Sequence, residues 1–250
     1  MKYVRVMRNN APVWGVLEGE TVRILTAAPY DGVEFDGTEL SFSECKLLAP
    51  CEPTKIVCVG KNYADHAMEL GGQVPELPVL FLKGVNALNH PGEGIEKPYF
   101  VQRLDYEGEL AFVVKKRAKN VKAADAAGYI LGYTCLNDVT ARDVQKIDGQ
   151  WTRAKSMDGF APIGPWVTDE VDPAHLDVQT RLNGQVVQKG NTEQFMHDVP
   201  ALLEFITAAM TLEAGDVVTT GTPAGIGPME KGDTVEVEIE GIGVLKNHVE

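Results

Sequence analysis

The chain has 250 residues, of which 44% are hydrophobic and 24% are charged. This size suits one large domain, or a main domain with a small appendage. The formal net charge of −13 argues against nucleic acid or an anionic membrane surface as a partner. No apolar run is long enough to span a bilayer. The four cysteines have no zinc-type or Cys-x-x-Cys spacing, so a reduced, cytoplasmic setting is expected.

The first fifty residues are typical of a small β unit. Polar and apolar residues alternate at its start, and short strands are predicted at residues 3–7, 12–18 and 21–25. Pro50 and Pro53 then interrupt the chain. We therefore predict a small N-terminal β domain at residues 1–52 and a larger domain at residues 53–250.

The remainder is dominated by strand signals. Further strands are predicted at residues 56–59, 79–82, 110–114, 217–220 and 235–239. One longer helix is predicted after an N-cap at Asp198, with its end near Gly215. Shorter helices are predicted at residues 63–70, 123–127 and 139–147. This pattern indicates a β-rich α+β protein, since strands and long helices do not alternate.

Two glutamates precede the strand predicted at residues 110–114. Residues two apart on a strand face the same side, so Glu107 and Glu109 should project together. Gly108 between them leaves room for a close approach to the backbone. Adjacent carboxylates favour a hard cation such as Mg2+ or Mn2+. A chance pair of acidic residues is the alternative in so acidic a chain.

A third carboxylate, Asp138, comes from the segment at residues 137–145, and its place on a helix depends on that whole segment being helical. Asp138, Arg142 and Gln145 would share one helix face at this spacing. They could bind a metal ion and the anion that it holds. The alternative is an exposed ion pair between Asp138 and Arg142, which contributes little.

His66 and Glu69 are spaced by one helical turn. A carboxylate beside an imidazole orients the ring, which suits a general base; the alternative is a structural histidine. The Gly- and Pro-rich residues 70–78 that follow are either a mobile lid or an ordinary surface loop.

Two further segments carry candidate groups. Lys155 lies among small residues and, if buried, could stabilise negative charge on an oxygen. The loop at residues 219–227 could hold a carboxylate through its backbone N–H groups and the Thr222 hydroxyl. The alternatives are a solvated lysine and a plain glycine turn. The loop lacks the ending of a nucleotide P-loop, which argues against phosphate binding of that kind.

Five motifs occur in a distinctive order: GKNYADHAME at 60–69, LDYEGEL at 104–110, NDVTARDVQ at 137–145, AKS at 154–156 and TGTPAGIG at 220–227. In this order they resemble the fumarylacetoacetate hydrolase family, from about Ile56 to the C-terminus. The resemblance implies a mixed β-roll that pairs into a homodimer, with residues 1–52 as the small N-terminal domain of bacterial members. The segment at residues 83–86 departs from the family pattern, which often has Lys-Pro followed by Ser or Thr.

The resemblance also implies roles for individual residues. One Mg2+ or Mn2+ per subunit would be bound by Glu107, Glu109 and Asp138. His66 and Glu69 match the water-activating dyad, and Lys155 matches the catalytic lysine. Positions matching substrate contacts are Arg142, Gln145, Thr222, Tyr63 and Gly221.

The implied substrate is a small 2-oxo acid bound through a metal that acts as a Lewis acid. We slightly favour hydrolysis of a C–C bond in an acylpyruvate, such as fumarylpyruvate or acetylpyruvate. Oxaloacetate decarboxylation, and isomerisation or tautomerisation of a hydroxyheptadienedioate type of acid, are the alternatives at the same site. A metal-stabilised binding protein without catalysis is the non-enzyme alternative.

Overall fold

A computed structural model describes residues 1–69, 71 and 74–250. Its strands are β1 Lys2–Arg8, β2 Ala11–Glu18, β3 Thr21–Leu25, β4 Phe35–Ser41, β5 Lys46–Leu48, β6 Ile56–Gly60, β7 Val79–Lys83, β8 Leu88–Asn89, β9 Gly94–Ile95, β10 Leu104–Tyr106, β11 Gly108–Val114, β12 Ile130–Asn137, β13 Thr140–Ala141, β14 Ala161–Thr168, β15 Asp177–Leu182, β16 Gln185–Asn191, β17 Val217–Thr219, β18 Gly227–Met229, β19 Thr234–Ile239 and β20 Gly243–Val249. The helices are α1 Ala64–Glu69, α2 Arg142–Asp148, α3 Thr152–Lys155 and α4 Val199–Ala209. Short 3-10 helices occupy Phe42–Glu44, Val85–Ala87, Ala123–Tyr129 and Thr192–Gln194.

The described strands form three sheets. The largest has the order β4-β3-β2-β1-β14-β12-β11-β17-β6-β7, with β5 paired to β1 and β8 to β14. A three-stranded sheet has the order β13-β10-β18, and a five-stranded sheet has the order β16-β15-β19-β20-β9. The fold is thus β-rich α+β with mixed pairing, as the sequence predicts.

β11 lies at the centre of the large sheet and is buried on both faces. Phe112 and Val114 pack on one face in the cluster beneath α4, whereas Ala111 and Val113 on the other face belong to the largest apolar cluster. Burial on both faces explains its nearly continuous apolar sequence. The start of this rigid strand is where the two predicted glutamates lie.

The N-terminal strands extend the large sheet. β1 pairs with β14 through Lys2–Thr168 and Tyr3–Val167, and β5 pairs with β1. Glu52, at the expected boundary, accepts hydrogen bonds from Arg5 and Trp14. The division at residue 52 stays a prediction.

α4 begins where the sequence predicts and ends earlier. The Asp198 carboxylate accepts a hydrogen bond from the Ala201 backbone at 2.8 Å, which confirms the N-cap. The helix ends at Ala209, not near Gly215. The reason is that Leu212 exchanges two backbone hydrogen bonds with Ala118, at 2.8 and 2.9 Å, which requires an extended chain.

Two of the shorter helix predictions need correction. Residues 123–127 lie in a 3-10 helix, Ala123–Tyr129. The helix expected at residues 139–147 begins only at Arg142, because Thr140 and Ala141 pair with β10. Asp138 therefore lies before the helix and does not share its face. In the described part of the chain, no helix has both the length and the apolar character needed to cross a membrane.

Candidate active site

Glu107 and Glu109 flank the first residue of β11. The Glu107 backbone N–H donates to the Asn137 side chain at 2.9 Å, and its carbonyl accepts from Asp138 N–H at 2.8 Å. These bonds join the start of β11 to the end of β12. A Cβ on Gly108 would lie 2.2 Å from Thr180 Oγ1, so the close packing at this point requires glycine.

The three predicted metal ligands converge. One carboxylate oxygen from each of Glu107, Glu109 and Asp138 lies within 4.8 Å of the other two. All three side chains are buried, with at most 4% of any residue exposed. Buried carboxylates this close repel each other unless cations or protons compensate for their charge. The group has the oxygen-rich character of a hard-cation site.

Two buried lysines contact this group. Lys155 Nζ lies 2.7 Å from Glu107 Oε2 and 2.5 Å from Asp138 Oδ2. Lys83 Nζ lies 2.6 Å from Asp138 Oδ1 and donates to the Val139 carbonyl at 3.2 Å. The two lysines thus hold both oxygens of Asp138. Sequence reasoning gave Lys83 no role in the site, because a single lysine after the predicted strand at residues 79–82 does not indicate its distant partner Asp138.

Arg142 is tied to carboxylates. Its Nη2 donates to Glu107 in a short hydrogen bond, and its Nε donates to Asp105 Oδ2 at 2.9 Å. Its Nη1 donates to Gln145 Oε1 at 2.7 Å, as the one-turn spacing predicts. Asp105 also accepts two bonds from Arg103, at 2.7 and 3.1 Å. Asp105, which sequence analysis left without a role, therefore fixes the guanidinium that reaches Glu107.

The electrostatics of the carboxylates differ. Burial raises the pKa of Glu109 well above its ordinary value, and the neighbouring Asp138 and Glu107 carboxylates raise it further. Burial would also raise the pKa of Glu107, but Lys155 and Arg142 outweigh it and lower that pKa. Burial opposes a charged Lys155, yet Asp138 and Glu107 raise the pKa of its ammonium group. Glu107 and Lys155 are thus held in their charged forms.

The His66–Glu69 pair forms on α1 as predicted. His66 Nδ1 lies 3.1 Å from Glu69 Oε2, and Glu69 Oε1 accepts a hydrogen bond from the Gly225 backbone at 3.1 Å. His66 is 4% exposed. The glycine-rich loop thus anchors the carboxylate that orients the imidazole.

The same loop also binds one carboxylate of the acidic group. The Gly221 N–H donates to Glu109 Oε2 at 3.0 Å, and Gly221 has a φ of +96°, which favours glycine. The Thr222 hydroxyl donates to the Gly108 carbonyl at 2.9 Å and accepts from Gln188 Nε2 at 2.8 Å. Sequence reasoning missed buried Gln188, because its partner Thr222 is distant in the chain.

One cavity brings most of these groups together. The predicted residues that line it are His66, Glu107, Glu109, Asp138, Arg142, Gln145, Lys155 and Thr222. Glu69 and Gly221 contact residues that line the cavity: Glu69 pairs with His66, and Gly221 donates to Glu109. The roles assigned to these residues remain predictions.

Tyr63 does not line the cavity in the described part of the chain. Its ring packs edge-on against Phe195, with centroids 5.0 Å apart, and burial raises the pKa of its hydroxyl. Its predicted contact with substrate has no support from this position. The proposed lid at residues 70–78 includes Leu70, Gly72 and Gln73, which lie outside the described residues.

Residues 55–250 match the model of the fumarylacetoacetate hydrolase C-terminal family. This match covers more than half of the chain. The chain belongs to the fumarylacetoacetate hydrolase family. Residues 1–50 match a second model, Rv2993c-like N-terminal. The relatives of this family include hydrolases, isomerases and tautomerases, and the chain is an enzyme.

Three similar proteins illustrate the range of the family. An uncharacterized protein of Archaeoglobus fulgidus is 55% identical over 85% of each chain. Oxaloacetate tautomerase YisK of Bacillus subtilis is 40% identical, over 84% of this chain and 74% of that protein. The crystal structure of 2-hydroxyhepta-2,4-diene-1,7-dioate isomerase from Mycobacterium marinum is 44% identical, covers 100% of this chain and 98% of its own, and has a TM-score of 0.93.

Proposed function

We propose that the chain is a divalent-metal-dependent enzyme that acts on a small 2-oxo acid at C3, the carbon next to the 2-oxo group. The observation that carries this proposal is one cavity that contains three buried carboxylates, a histidine paired with a carboxylate, and a buried lysine.

The acidic group fits a hard divalent cation. Glu107, Glu109 and Asp138 offer only oxygen ligands, which Mg2+ and Mn2+ prefer. Glu107 and Asp138 contact protein cations, whereas Glu109 makes no ion pair with any described lysine or arginine. A cation beside Glu109 would compensate for that charge. We propose one Mg2+ or Mn2+ per subunit.

The charge balance of the buried groups favours an anionic substrate. Four buried carboxylates, with Asp105 as the fourth, face four cations, so their formal charges balance. The cations are buried Lys83, Arg142 and Lys155 and partly exposed Arg103. A divalent cation would add two positive charges, which attract a carboxylate.

The side chains of the site have complementary chemical abilities. When bound, the cation supplies Lewis-acid stabilisation of negative charge on the 2-oxo oxygen. His66, held through Nδ1 by Glu69, keeps its other ring nitrogen to exchange a proton with C3 or with a water molecule. Lys155 stabilises negative charge that develops on an oxygen. Arg142 and Gln145 line the same cavity and can donate to the substrate carboxylate.

Proton transfer alone is the reaction that we place first, as keto–enol tautomerisation or double-bond isomerisation. Two relatives at 40% and 44% identity bear the names oxaloacetate tautomerase and 2-hydroxyhepta-2,4-diene-1,7-dioate isomerase. The sequence alone favours hydrolysis of an acylpyruvate, and the His66–Glu69 hydrogen bond keeps it as the second candidate, because such a pair can activate water. Oxaloacetate decarboxylation needs no attacking water.

A turnover screen tests the proposal. Oxaloacetate, a hydroxymuconate-type diacid, fumarylpyruvate and acetylpyruvate are each assayed with Mg2+, with Mn2+ and with EDTA. We expect turnover of at least one acid that EDTA abolishes and added metal restores. Undiminished turnover in EDTA, or no turnover of any acid, would contradict the proposal.

Replacement of His66 separates decarboxylation from the other two candidate reactions. We expect His66→Ala to lower tautomerisation and hydrolysis by about 100- to 10,000-fold, since both need the base, while decarboxylation survives in part. Exposed His175 provides the control, and His175→Ala should match wild type. Equal loss of all activities would argue against this division of roles.

We further propose that the enzyme works as a homodimer in the cytoplasm, without nucleic-acid or membrane partners. The net charge of −13 supports the exclusion of polyanionic partners. The proposal of a homodimer is supported by similarity to the family alone. Light scattering after size-exclusion chromatography would measure the molar mass of the assembly.

A further inference from the structure

Buried Gln188, on β16, forms hydrogen bonds through both atoms of its amide. Oε1 accepts from the Gly108 N–H at 3.0 Å and from the Thr180 hydroxyl at 2.8 Å. Nε2 donates to the Thr222 hydroxyl at 2.8 Å and to the Pro223 carbonyl at 2.9 Å. These four bonds use both lone pairs of the amide oxygen and both of its N–H groups. The amide, in a residue that is 1% exposed, therefore has a single defined orientation.

One side of this amide faces the strand that carries two of the proposed metal ligands. Gly108 is the first residue of β11 and separates Glu107 from Glu109. Its N–H donates to Gln188, and its carbonyl accepts from the Thr222 hydroxyl at 2.9 Å. These two bonds hold the peptide groups on either side of Gly108, which join it to the two glutamates.

The other side of the amide faces the glycine-rich loop at residues 219–227, which packs directly on β16. A Cβ on Gly225 would lie 2.4 Å from the Val187 carbonyl oxygen. A Cβ on Gly190 would lie 2.7 Å from Pro223 Cβ. At both points the close approach requires glycine. The loop thus lies on β16 with little room to shift, and the buried amide joins this surface to β11.

The same loop contacts both halves of the site. The Gly221 N–H donates to Glu109 at 3.0 Å, and the Gly225 N–H donates to Glu69, the partner of the imidazole, at 3.1 Å. The two loop residues that Gln188 binds lie between these donors in the chain. One buried amide thus fixes the segment that connects the acidic group to the histidine–glutamate pair.

We propose that Gln188 is a positioning residue of the active site. It holds the glycine-rich loop against the start of β11, so that the acidic group and the histidine–glutamate pair keep their alignment. It acts through Gly108 and Thr222, because it is not among the described residues that line the cavity. An amide suits this place, since a lysine could not accept from the Gly108 N–H and a carboxylate could not donate to Pro223. This inference rests on the proposed function, which gives the aligned groups their roles.

Two substitutions interrupt this connection at different points. Gln188→Met keeps the length of the side chain and removes all four hydrogen bonds. Thr222→Val keeps the shape of the side chain and removes the hydroxyl that links the amide to the Gly108 carbonyl. The double variant completes a double-mutant cycle. Exposed Gln185, on the same strand, provides the matched control Gln185→Met.

Three properties are measured for each variant. Electron paramagnetic resonance gives the Mn2+ affinity, and steady-state kinetics give kcat and KM for an acid that wild type turns over. Mass spectrometry follows hydrogen exchange of the backbone at residues 219–227 in metal-free protein. Urea denaturation checks that each variant is folded under these conditions.

We expect Gln188→Met to bind Mn2+ about 10- to 100-fold more weakly, the usual effect of losing a group that orients metal ligands. Its kcat should fall more than its KM rises, and residues 219–227 should exchange faster. Thr222→Val should weaken Mn2+ binding about 3- to 10-fold, the effect of one neutral hydrogen bond. The double variant should bind no more weakly than Gln188→Met, since both changes act through one connection. Gln185→Met should match wild type.

A folded Gln188→Met variant with the Mn2+ affinity and kcat of wild type would overturn the proposal, as would additive losses in the double variant. If Gln188→Met does not fold, undiminished Mn2+ affinity in Thr222→Val would overturn it. Failure of the proposed function is a different result, in which wild type itself binds no Mn2+. Hydrogen exchange needs neither metal nor turnover, so unchanged exchange at residues 219–227 in folded Gln188→Met would contradict the inference in either case.

Discussion

At the scale of single residues, Asp138 shows how the site keeps a carboxylate charged inside the protein. Lys83 binds one of its oxygens at 2.6 Å and Lys155 binds the other at 2.5 Å. All three side chains are almost wholly buried. Because each oxygen has its own cation, removal of either lysine leaves a buried carboxylate only half compensated.

Lys83→Met should therefore lower the free energy of unfolding by about 1.5–3 kcal/mol, the cost of losing one hydrogen bond to a charged group. Urea denaturation at neutral pH measures it. Lys231→Met, at an exposed position, is the control and should change stability by less than about 0.5 kcal/mol. A Lys83→Met variant as stable as that control would show that Lys155 alone compensates for Asp138.

At the scale of elements, one buried carboxylate joins two strands of the large sheet. Asp216 precedes β17 and accepts hydrogen bonds from the backbone N–H groups of Thr54, Lys55 and Glu213, at 2.8 to 3.1 Å. Lys55 Nζ adds an ion pair at 2.5 Å. Burial would raise the pKa of Asp216, but these donors outweigh it and lower that pKa. The bonds hold β6 and β17 together where their parallel pairing starts.

The lowered pKa of Asp216 makes the stability of the protein depend on pH in a defined direction. Because the folded pKa of Asp216 is lowered, its contribution is fully present above the unfolded value, about 3.9, and is lost as pH falls toward the folded pKa. Asp216→Asn should be less stable than wild type by about 1–3 kcal/mol at pH 7, and the difference should narrow below about pH 4. Urea denaturation between pH 7 and pH 3.5 measures both, with exposed Asp31→Asn as control. A difference that grows on acidification would contradict this account.

At the scale of the whole molecule, the sequence predicts where the strands lie better than it predicts which strands pair with each other. The strands at β6, β7, β11, β17 and β19 were found from short β-branched runs bounded by turn residues. The pairing of β11 with β17, which are about a hundred residues apart, has no local signal. The early end of α4 also depends on a distant partner, because Leu212 pairs with Ala118. The helical spacing of the apolar residues in α4 cannot indicate that pairing.

In the site, too, local sequence signals were predictive and contacts between distant residues were not. The predicted metal ligands and the His66–Glu69 pair could be found because their order along the chain resembles a family. Lys83, Asp105 and Gln188 could not, since each is one polar residue in or beside a strand and gains its meaning only from a partner elsewhere. Spacing also placed Asp138 on a helix that in fact starts four residues later, because a two-residue strand intervenes.

The whole account depends on one divalent cation bound by Glu107, Glu109 and Asp138. The most direct measurement is a titration of the purified, EDTA-treated protein with Mn2+, in which free Mn2+ is followed by electron paramagnetic resonance. Wild type is expected to bind one Mn2+ per chain, Mg2+ is expected to compete, and Glu109→Gln is expected to bind at least about tenfold more weakly through loss of a charged ligand. Asp31→Asn should bind as wild type does. No saturable binding by wild type, or undiminished binding by Glu109→Gln, would contradict the account.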